Sequence, residues 1–551
     1  MWLAFFAKTL FYSSFLPLWE GYDEYSHFEY VRYLSNNHRL PTLQSDGSRE
    51  VAASLALSPG PWPCQNLRPI CLGYADFWQL PEPERQLRLQ QLRSLPPAWQ
   101  GLPANPPLDL YEAQQPPLAY FLYVIPYRLY AETTLWTRVW ILRVVAGFIA
   151  SLTIPLGFRV ARQVFPDDAS SLGVIALSAA MPEWLMNVTR VGNEPLAAVL
   201  ATAIVGTLIA FSRQRYPPTE PQPSGSGPTP GTPKYAGIAA RLGALLGTAL
   251  ITKGYFLTLI PAIGTLYTIA WLRRWQSLRS LSQQIAVIAS LALAISGWWY
   301  VRAYLLTGAL TGQMEEVAAG HSKLSVWQAI VQTDWLKVLD LALVSHIWVG
   351  GWSFLVVRAW MYRVIEVLIV LAIVGIAYRA LRIPAGRRTL AALVLPQVFL
   401  WLGLAYHAFA SFRGYGVSGT LSHYAYCLVI PEAACLILGL RTLVPAVARR
   451  WIIPGLVLSM TALECFAVHI YQLPYYAGLI AHGPRGNVPA LHFSQLQDGG
   501  AAAMFERLSS SNLGFVSKEL LIVFWALYLV AMIALLPIAF LGSGKQKAGT
   551  I

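Results

Sequence analysis

The chain has 551 residues, of which 56% are hydrophobic and only 12% charged, and its mean hydropathy is +0.48. A water-soluble chain carries charges at roughly a quarter of its positions, so this composition excludes an ordinary soluble globular protein. The formal net charge of +13 does not indicate nucleic-acid binding, because Lys and Arg are spread over short loops between apolar runs.

Repeated apolar runs of about 20 residues predict membrane-spanning helices. The first run lacks a small-residue cleavage site, so we expect a retained helix rather than a removed signal peptide. We therefore predict an all-α polytopic membrane protein with a bundle of about 12 transmembrane helices. The predicted spans are 2–19, 139–161, 171–188, 195–212, 237–252, 254–272, 284–306, 362–381, 389–409, 424–442, 451–471 and 519–541.

The apolar stretch 117–131 contains Pro126 and Arg128 and is too short for a full crossing. If it crossed, the basic loop 213–236 would lie outside the cytoplasm, against the rule that Lys and Arg favour the cytoplasmic side. We therefore predict an interfacial helix here, with both termini cytoplasmic. The other basic loops, expected on the cytoplasmic side, are 273–283, 379–388, 443–450 and 542–551.

This topology divides the chain into two transmembrane parts. We expect an N-terminal catalytic half, 1–212, with a large first extracytoplasmic loop at 20–138, and a C-terminal half, 237–551, with extracytoplasmic loops at 307–361 and 472–518. Between them, 213–236 contains the run "PPTEPQPSGSGPTPGTPK", whose Pro, Gly and Ser content predicts a flexible cytoplasmic linker.

Two of the five cysteines, Cys64 and Cys71, lie close together in the first loop. In an extracytoplasmic loop they are a candidate disulfide. A metal site is disfavoured, because no second Cys or His pair follows at ligand spacing. The other cysteines fall in apolar segments, where packing is the expected role.

The densest group of ionisable residues follows the first predicted span, in "PLWEGYDEYSHFEYVRYLSNNHRLP". It contains Asp23, Glu24 and His27 at what the topology makes an extracytoplasmic membrane boundary. Ionisable residues near lipid are usually functional. For the two carboxylates, however, capping or solvating a loop is the competing interpretation, and for His27 a structural histidine is more common than a ligand.

The same side of the membrane is predicted to receive further charges from later turns. They are Arg190, Asn193 and Glu194 in "TRVGNEP", Lys253 at the tip of a tight helical hairpin in "ITKGYF", and Arg413 and His423 in "SFRGYGVSGTLSHYAY". Each has a structural alternative: Glu194 suits a helix N-terminus, and a lysine at a hairpin tip snorkels to the interface without any ligand. The aromatic residues around Trp348 and Trp352 favour an interfacial belt.

Taken in order, these motifs resemble GT-C glycosyltransferases, the multi-pass enzymes that use polyprenyl-phosphate-linked sugars. The resemblance is to the group of protein O-mannosyltransferases and lipid A aminoarabinose transferases, and to bacterial membrane proteins allied to them. "YDEYSHFEYVRYL" is similar to the acidic motif after the first helix, and "LITKGYFLTLIPA" to a lysine hairpin that faces the lipid phosphate. Three positions depart from the pattern: Gln115 in "EAQQPPLAYFL" stands where many relatives have His, Glu194 where Asp is commoner, and His423 where Arg is usual.

The resemblance implies an inverting glycosyltransferase of the bacterial inner membrane with an extracytoplasmic active site. The acidic residue after the first helix acts as general base in this family, which implies Asp23, with Glu24 as its nearest rival and Glu194 as a supporting carboxylate. Lys253, Arg190, Arg413 and His423 are expected at the donor phosphate and lipid, and His27, Gln115 and Asn193 as acceptor-side or structural support.

Cofactor and acceptor stay open in this interpretation. Some GT-C enzymes use a divalent cation such as Mg²⁺ or Mn²⁺ and others use none. The partners implied are a polyprenyl-phosphate-sugar donor, membrane lipid and an extracytoplasmic acceptor, whether lipid, glycan or protein. A flippase for a lipid-linked substrate and a non-catalytic glycan-lipid-binding subunit are the alternatives; a transporter predicts ionisable residues at mid-depth of several helices, which the sequence pattern does not suggest.

Overall fold

The computed structural model describes residues 1–60, 72–214, 233–483, 486–496, 500–512 and 515–540. Within these ranges the chain is helical, and its β-structure is limited to isolated bridges such as Asp46 with Asp109. The first half contains α1 Trp2–Phe15, α2 Glu24–Asn37, α3 Arg49–Leu57, α4 Tyr74–Gln79, α5 Glu82–Arg93, α6 Leu118–Leu129, α7 Leu135–Ser151, α8 Thr153–Val164, α9 Asp168–Ala179, α10 Pro182–Val188 and α11 Glu194–Ser212.

The second half contains thirteen further α-helices among the described residues. They are α12 Pro233–Leu250, α13 Leu259–Leu272, α14 Leu278–Thr307, α15 Met314–Gly320, α16 Val326–Gln332, α17 Trp335–Ile347, α18 Ala359–Arg382, α19 Arg387–Tyr415, α20 Val429–Leu443, α21 Ala446–Phe466, α22 Leu473–Tyr476, α23 Gly500–Ser511 and α24 Lys518–Phe540.

Nine helical segments of the described chain are long and apolar enough to cross a membrane, and the pair α9 and α10 makes a tenth if it is one bent span. The prediction of an all-α polytopic membrane protein is therefore confirmed. The remaining two predicted spans correspond to shorter helices: α1 has 14 residues, and the apolar stretch of α12, Ala236–Leu250, has fewer than 18. The helix α6, with 12 residues, is also too short for a crossing, as expected for an interfacial helix.

Proline positions explain where two of these helices break. The axis bends by 63° between α9 and α10, where Met181 precedes Pro182. A residue before proline is pushed out of the helical region, so the chain ends one helix and starts another here. In the same way α1 ends at Phe15, two residues before Pro17.

Contacts join the loops that were predicted to share one side. At the basic loops, Arg213 donates to the Gln163 carbonyl at 3.1 Å and Arg388 lies 4.5 Å from the centre of the Trp275 ring. These contacts link the turn after α8 with the end of α11, and the turn after α13 with the start of α19.

The predicted extracytoplasmic loops contact one another as well. The Tyr22 hydroxyl donates to the Val349 carbonyl at 3.0 Å, and Met314 N donates to Gln114 Oε1 at 2.8 Å, so the first loop packs on the loop 307–361. Glu20 joins a third element, because its carboxylate accepts a hydrogen bond from the Tyr476 hydroxyl at 3.2 Å. We call this end of the bundle the site face.

Three expectations about side chains and packing were wrong. Trp348 is fully buried rather than part of an interfacial belt. The helices flanking Lys253 do not form a tight hairpin, because α12 packs chiefly on α14 and α13 chiefly on α19. Ionisable residues also lie inside predicted spans: Lys8 and Glu464 form an ion pair of 2.5 Å with both side chains fully buried.

Candidate functional site

A cavity of about 890 Å³ lies at the site face. Tyr22 and Asp23 line it from the first loop, Glu315 and Trp352 from the loop 307–361, and His423 from the turn before α20. Asp109 and His407 also line the cavity, so that three carboxylates and two imidazoles face it. No lysine or arginine lines the cavity among the residues that the structure describes.

Asp23 occupies the N-cap position of α2 with a left-handed backbone, φ 52°. Asp is one of the few side chains that tolerate this region, and such backbone positions cluster at functional sites. The half-buried carboxylate accepts no hydrogen bond from the described part of the chain. Burial raises its pKa to about 6, against the opposing positive charges of Arg190 and Lys253. Asp23 is therefore a carboxylate without hydrogen bonds from the described residues, and it exchanges its proton at a pH only slightly below neutral.

Glu24, one residue further, is placed quite differently. Its carboxylate is fully buried and accepts two hydrogen bonds from the Arg143 guanidinium, at 2.5 and 2.7 Å. It also accepts the backbone N–H of Val191 at 3.0 Å. Neighbouring residues of a helix point in different directions. Here the Asp23 carboxylate lines the cavity, while the Glu24 carboxylate connects the first loop to α7 and to the turn before α11.

A buried ion cluster lies behind the cavity. Glu194 pairs with Arg190 at 3.0 Å and with Lys253, whose ammonium also donates to Asn193 Oδ1 at 2.7 Å. These residues come from the turn between α10 and α11 and from the break after α12. Gly21 allows the first loop to approach, because a Cβ there would lie 2.7 Å from the Arg190 Cβ. The structure thus brings together all four residues that sequence analysis named in these two turns.

The charges in this cluster do not balance. Two cations, Arg190 and Lys253, pair with the same carboxylate, Glu194. One positive charge within these three residues is therefore not neutralised. Asp23 lines the cavity, and the positive charges of both cations act on its pKa. The Lys253 ammonium also lies 5.1 Å from the centre of the Tyr424 ring, and that tyrosine lines the cavity. A buried excess of positive charge favours an anionic ligand nearby.

Glu112 is a residue of this site that sequence analysis missed. It lies in a short 3₁₀ turn, Tyr111–Gln114, and its Oε2 is 3.5 Å from His27 Nδ1. Burial, together with the negative charge of Asp23, raises the pKa of Glu112 well above its ordinary value. The only available signal was its position three residues before Gln115, in the segment "EAQQPPLAYFL".

His27 is held in this group as a neutral imidazole. Burial, and the positive charge of Arg190, lower its pKa well below the ordinary value. Its Nδ1 is 2.8 Å from the Tyr120 hydroxyl, and that hydroxyl in turn accepts a 3.5 Å hydrogen bond from Asn193 Nδ2. Polar contacts therefore connect His27 through Tyr120 to Asn193 of the ion cluster, and Glu112 lies beside them.

The remaining expected site residues divide into two groups. His423 lines the cavity, stacks on Tyr22 with ring centroids 4.6 Å apart, and has a buried Nδ1 without a hydrogen-bond partner in the described structure. Gln115 is buried beside Glu112, and its Oε1 is also unpartnered among the described residues. Arg413 lies apart, because its Nε donates to the Leu324 carbonyl at 3.1 Å and it does not line the cavity.

Two further expectations concern metals and cysteines. Among the described residues there is no group of three or more His, Cys, Asp or Glu side chains arranged to hold a metal ion. The residues present therefore do not provide a fit for Mg²⁺ or Mn²⁺, and we derive no step through one. Cys64 and Cys71 lie outside the described residues, so their pairing stays a prediction.

Several solved structures are similar to this chain over most of its length. ArnT from Cupriavidus metallidurans, bound to undecaprenyl phosphate, is 14% identical over 98% of this chain and 76% of its own, with a TM-score of 0.44. AglB, an oligosaccharyltransferase from Archaeoglobus fulgidus in complex with an inhibitory peptide and a dolichol-phosphate, is 13% identical over 79% of this chain and 49% of its own, with a TM-score of 0.37. A structure of the Archaeoglobus fulgidus oligosaccharyltransferase with Zn and sulfate is 15% identical over 72% of this chain and 48% of its own, with a TM-score of 0.35.

The resemblance to GT-C glycosyltransferases that the sequence motifs carry stays a prediction beside these distant likenesses. No family model matches the chain, and no curated protein matches it. Because the identities are 13–15% and the TM-scores are below 0.5, we take the chemistry below from the chain's own residues.

Proposed function

We propose that this membrane protein transfers a sugar from a polyprenyl-phosphate donor to an acceptor bound in the cavity at the site face. One observation carries the proposal: the Asp23 carboxylate, free of hydrogen bonds from the described residues, lines a cavity beside a buried cluster with excess positive charge. A glycosyl transfer from a phosphate needs this combination, because it requires a base for the acceptor and cations for the leaving group.

The donor phosphate is assigned to the cations behind the cavity. A phosphate approaching from the membrane would compensate the positive charge that Glu194 leaves over, taking hydrogen bonds from Lys253 and Arg190. Lys253 is the better placed of the two, because its ammonium lies against Tyr424, which lines the cavity. Arg413 has no part in this site, since its guanidinium lies on Leu324 instead.

In the reaction, Asp23 accepts the proton of an acceptor hydroxyl or amine as that atom forms a bond to the anomeric carbon. The bond between the anomeric carbon and the phosphate oxygen breaks, and its electron pair leaves with the phosphate. Attack and departure occur on opposite faces of the sugar, so the configuration inverts. General base catalysis of this kind contributes about 10²–10⁴-fold to the rate.

The cavity walls favour a carbohydrate or lipid acceptor over a folded protein. Rings of Tyr22, Tyr111, Trp352 and Tyr424 line it, together with the carboxylates Asp109 and Glu315. Aromatic faces stack on sugar rings and carboxylates accept hydrogen bonds from hydroxyl groups. Because the basic loops are assigned to the cytoplasm, the same proposal places this cavity on the outer side of a bacterial inner membrane.

Undecaprenyl phosphate and undecaprenol, added to the purified protein in detergent, test the donor site. A ligand present at 100 times its Kd stabilises the folded state by about 2.7 kcal/mol. We expect undecaprenyl phosphate to raise the thermal unfolding midpoint of the wild type and of Asp23→Asn, but not of Lys253→Ala. Undecaprenol, which lacks the phosphate, should have no effect on any of them. Equal stabilisation by both lipids, or none by either, would remove the donor assignment.

A further inference from the structure

Two short helices of the loop 307–361 present an exposed apolar face. Trp327 is 72% exposed and Leu336 is 81% exposed, although both are large apolar side chains. The helices α16 and α17 have 7 and 13 residues, too short to cross a membrane. We call this surface the 326–339 face; its exposed apolar residues are Val326, Trp327, Ile330, Val331, Trp335, Leu336 and Leu339.

The opposite side of the same helices is held against the protein. Ala329 of α16 and Val338 and Ala342 of α17 are buried. The helix α16 packs on α19, and the backbone N–H of Asp334 donates to Ser418 Oγ at 3.1 Å. The exposed apolar side chains therefore lie on the side of α16 and α17 that is turned away from the described helices.

The 326–339 face continues into the exposed apolar surface of two helices that are long enough to cross a membrane. The helix α17 packs on the membrane-spanning helix α18, whose first turns expose Trp360 and Val364, and α16 packs on α19, another spanning helix. Lys337 and Asp340 are also exposed within α17, which excludes a position deep in the hydrocarbon. Tryptophan next to charged residues is typical of the headgroup layer.

We propose that the 326–339 face binds the membrane surface, with Trp327 and Leu336 inserted at the boundary between headgroups and acyl chains. Leu341, two residues beyond the face, lines the cavity. Insertion of α16 and α17 would therefore place one wall of the cavity at headgroup depth, where a lipid-borne substrate presents its polar part.

Nitroxide labels at single cysteines test the position of this face in the full-length protein, reconstituted in phospholipid nanodiscs. The five natural cysteines are first replaced by serine or alanine, and Trp327→Cys and Leu336→Cys are labelled separately. Val367→Cys, on the exposed side of α18, is the lipid control, and Leu87→Cys, exposed on α5 of the first loop, is the water control. The quantity measured is the ratio of collisions with oxygen to collisions with a water-soluble nickel chelate.

We expect the ratio at positions 327 and 336 to shift away from the Leu87→Cys value and toward the Val367→Cys value. A ratio equal to that of Leu87→Cys would mean that the face lies in water and would overturn the proposal. Low collision rates with both reagents would mean that protein, such as a second copy of the chain, covers the face, and would overturn it as well. The labelled side chains are exposed, so their replacement does not disturb the core.

Discussion

Lys253 and Glu194 form a buried ion pair, with side chains 6% and 4% exposed, between two turns that are 59 residues apart in the sequence. Arg190 binds the same carboxylate at 3.0 Å. Glu194 is therefore the single anion that holds two cations in place, and the three residues are not equivalent. Removing the shared anion should be far more damaging than removing either cation.

Glu194→Ala is expected to destabilise the protein by about 3–5 kcal/mol, because it leaves two buried cations without their partner. Lys253→Ala should cost much less, since Arg190 still neutralises Glu194. Thermal or denaturant unfolding of the two variants in the same detergent measures the difference. A larger loss for Lys253→Ala would show that the ammonium, rather than the carboxylate, organises the cluster.

Asp23→Asn is expected to lower the transfer rate by about 10²–10⁴-fold while the protein stays folded, because the amide is the same size but does not accept the proton. Asp109→Asn is the matched control, since Asp109 also lines the cavity but lies outside the ion cluster. Transfer rates of the two variants would be compared under identical donor concentrations. Equal losses of transfer rate in Asp23→Asn and Asp109→Asn would contradict the assignment of Asp23 as the base.

The pH dependence should follow the pKa of Asp23, raised to about 6 by burial. The carboxylate acts as a base only when deprotonated, so the transfer rate should rise with pH through about 6 and then level off. An unshifted carboxyl would give this rise near pH 4. A pH–rate profile between 4.5 and 8, normalised to the folded fraction at each pH, distinguishes the two.

The raised pKa of Asp23 also makes the stability of the folded protein depend on pH. A carboxyl whose pKa is raised by folding holds its proton more tightly when folded, so stability is lost as the pH rises from the unfolded value through about 6. Asp23→Asn removes this loss and should raise the unfolding midpoint at pH 7.5, with no gain at pH 4. A gain of the same size at both pH values would contradict the proposed ionisation of Asp23.

Burial and the charge of Asp23 raise the pKa of Glu112 well above the ordinary value, so folding favours the protonated form of this carboxyl. Glutamine resembles a protonated glutamate, so Glu112→Gln should leave the unfolding midpoint nearly unchanged at acidic pH. As the pH rises, the wild type should lose stability relative to this variant. A lower midpoint for Glu112→Gln than for the wild type at every pH would instead indicate an ionised Glu112 that pairs with His27.

Much of the architecture was predictable from local sequence patterns. Apolar runs of membrane length, together with the basic loops, predicted the spanning helices and which loops would share a face. The residues at the turns, Asp23, Arg190, Glu194 and Lys253, were identified because charges between apolar helices are unusual. Their convergence follows from topology alone, since alternate turns of a bundle meet at the same end.

Contacts that depend on tertiary packing were not predictable from local patterns. Nothing in the sequence near Glu24 shows that its partner is Arg143, 119 residues away, although an arginine inside an apolar span was a signal that a carboxylate must meet it. Lys8 and Glu464 are 456 residues apart and likewise require the assembled bundle. Trp348 was misplaced for a related reason, because an aromatic run has the same pattern whether it faces lipid or the core.

In the proposed reaction, Asp23 is the base and Lys253 holds the lipid-linked donor. Mass spectrometry of the lipids that co-purify with the wild type, Asp23→Asn and Lys253→Ala in mild detergent tests it most directly. We predict polyprenyl phosphate with the wild type, the sugar-charged polyprenyl phosphate with Asp23→Asn because transfer is blocked, and depletion of both with Lys253→Ala. If all three proteins carry the same lipids, or if only ordinary phospholipids are found, Asp23 and Lys253 do not have the roles assigned to them.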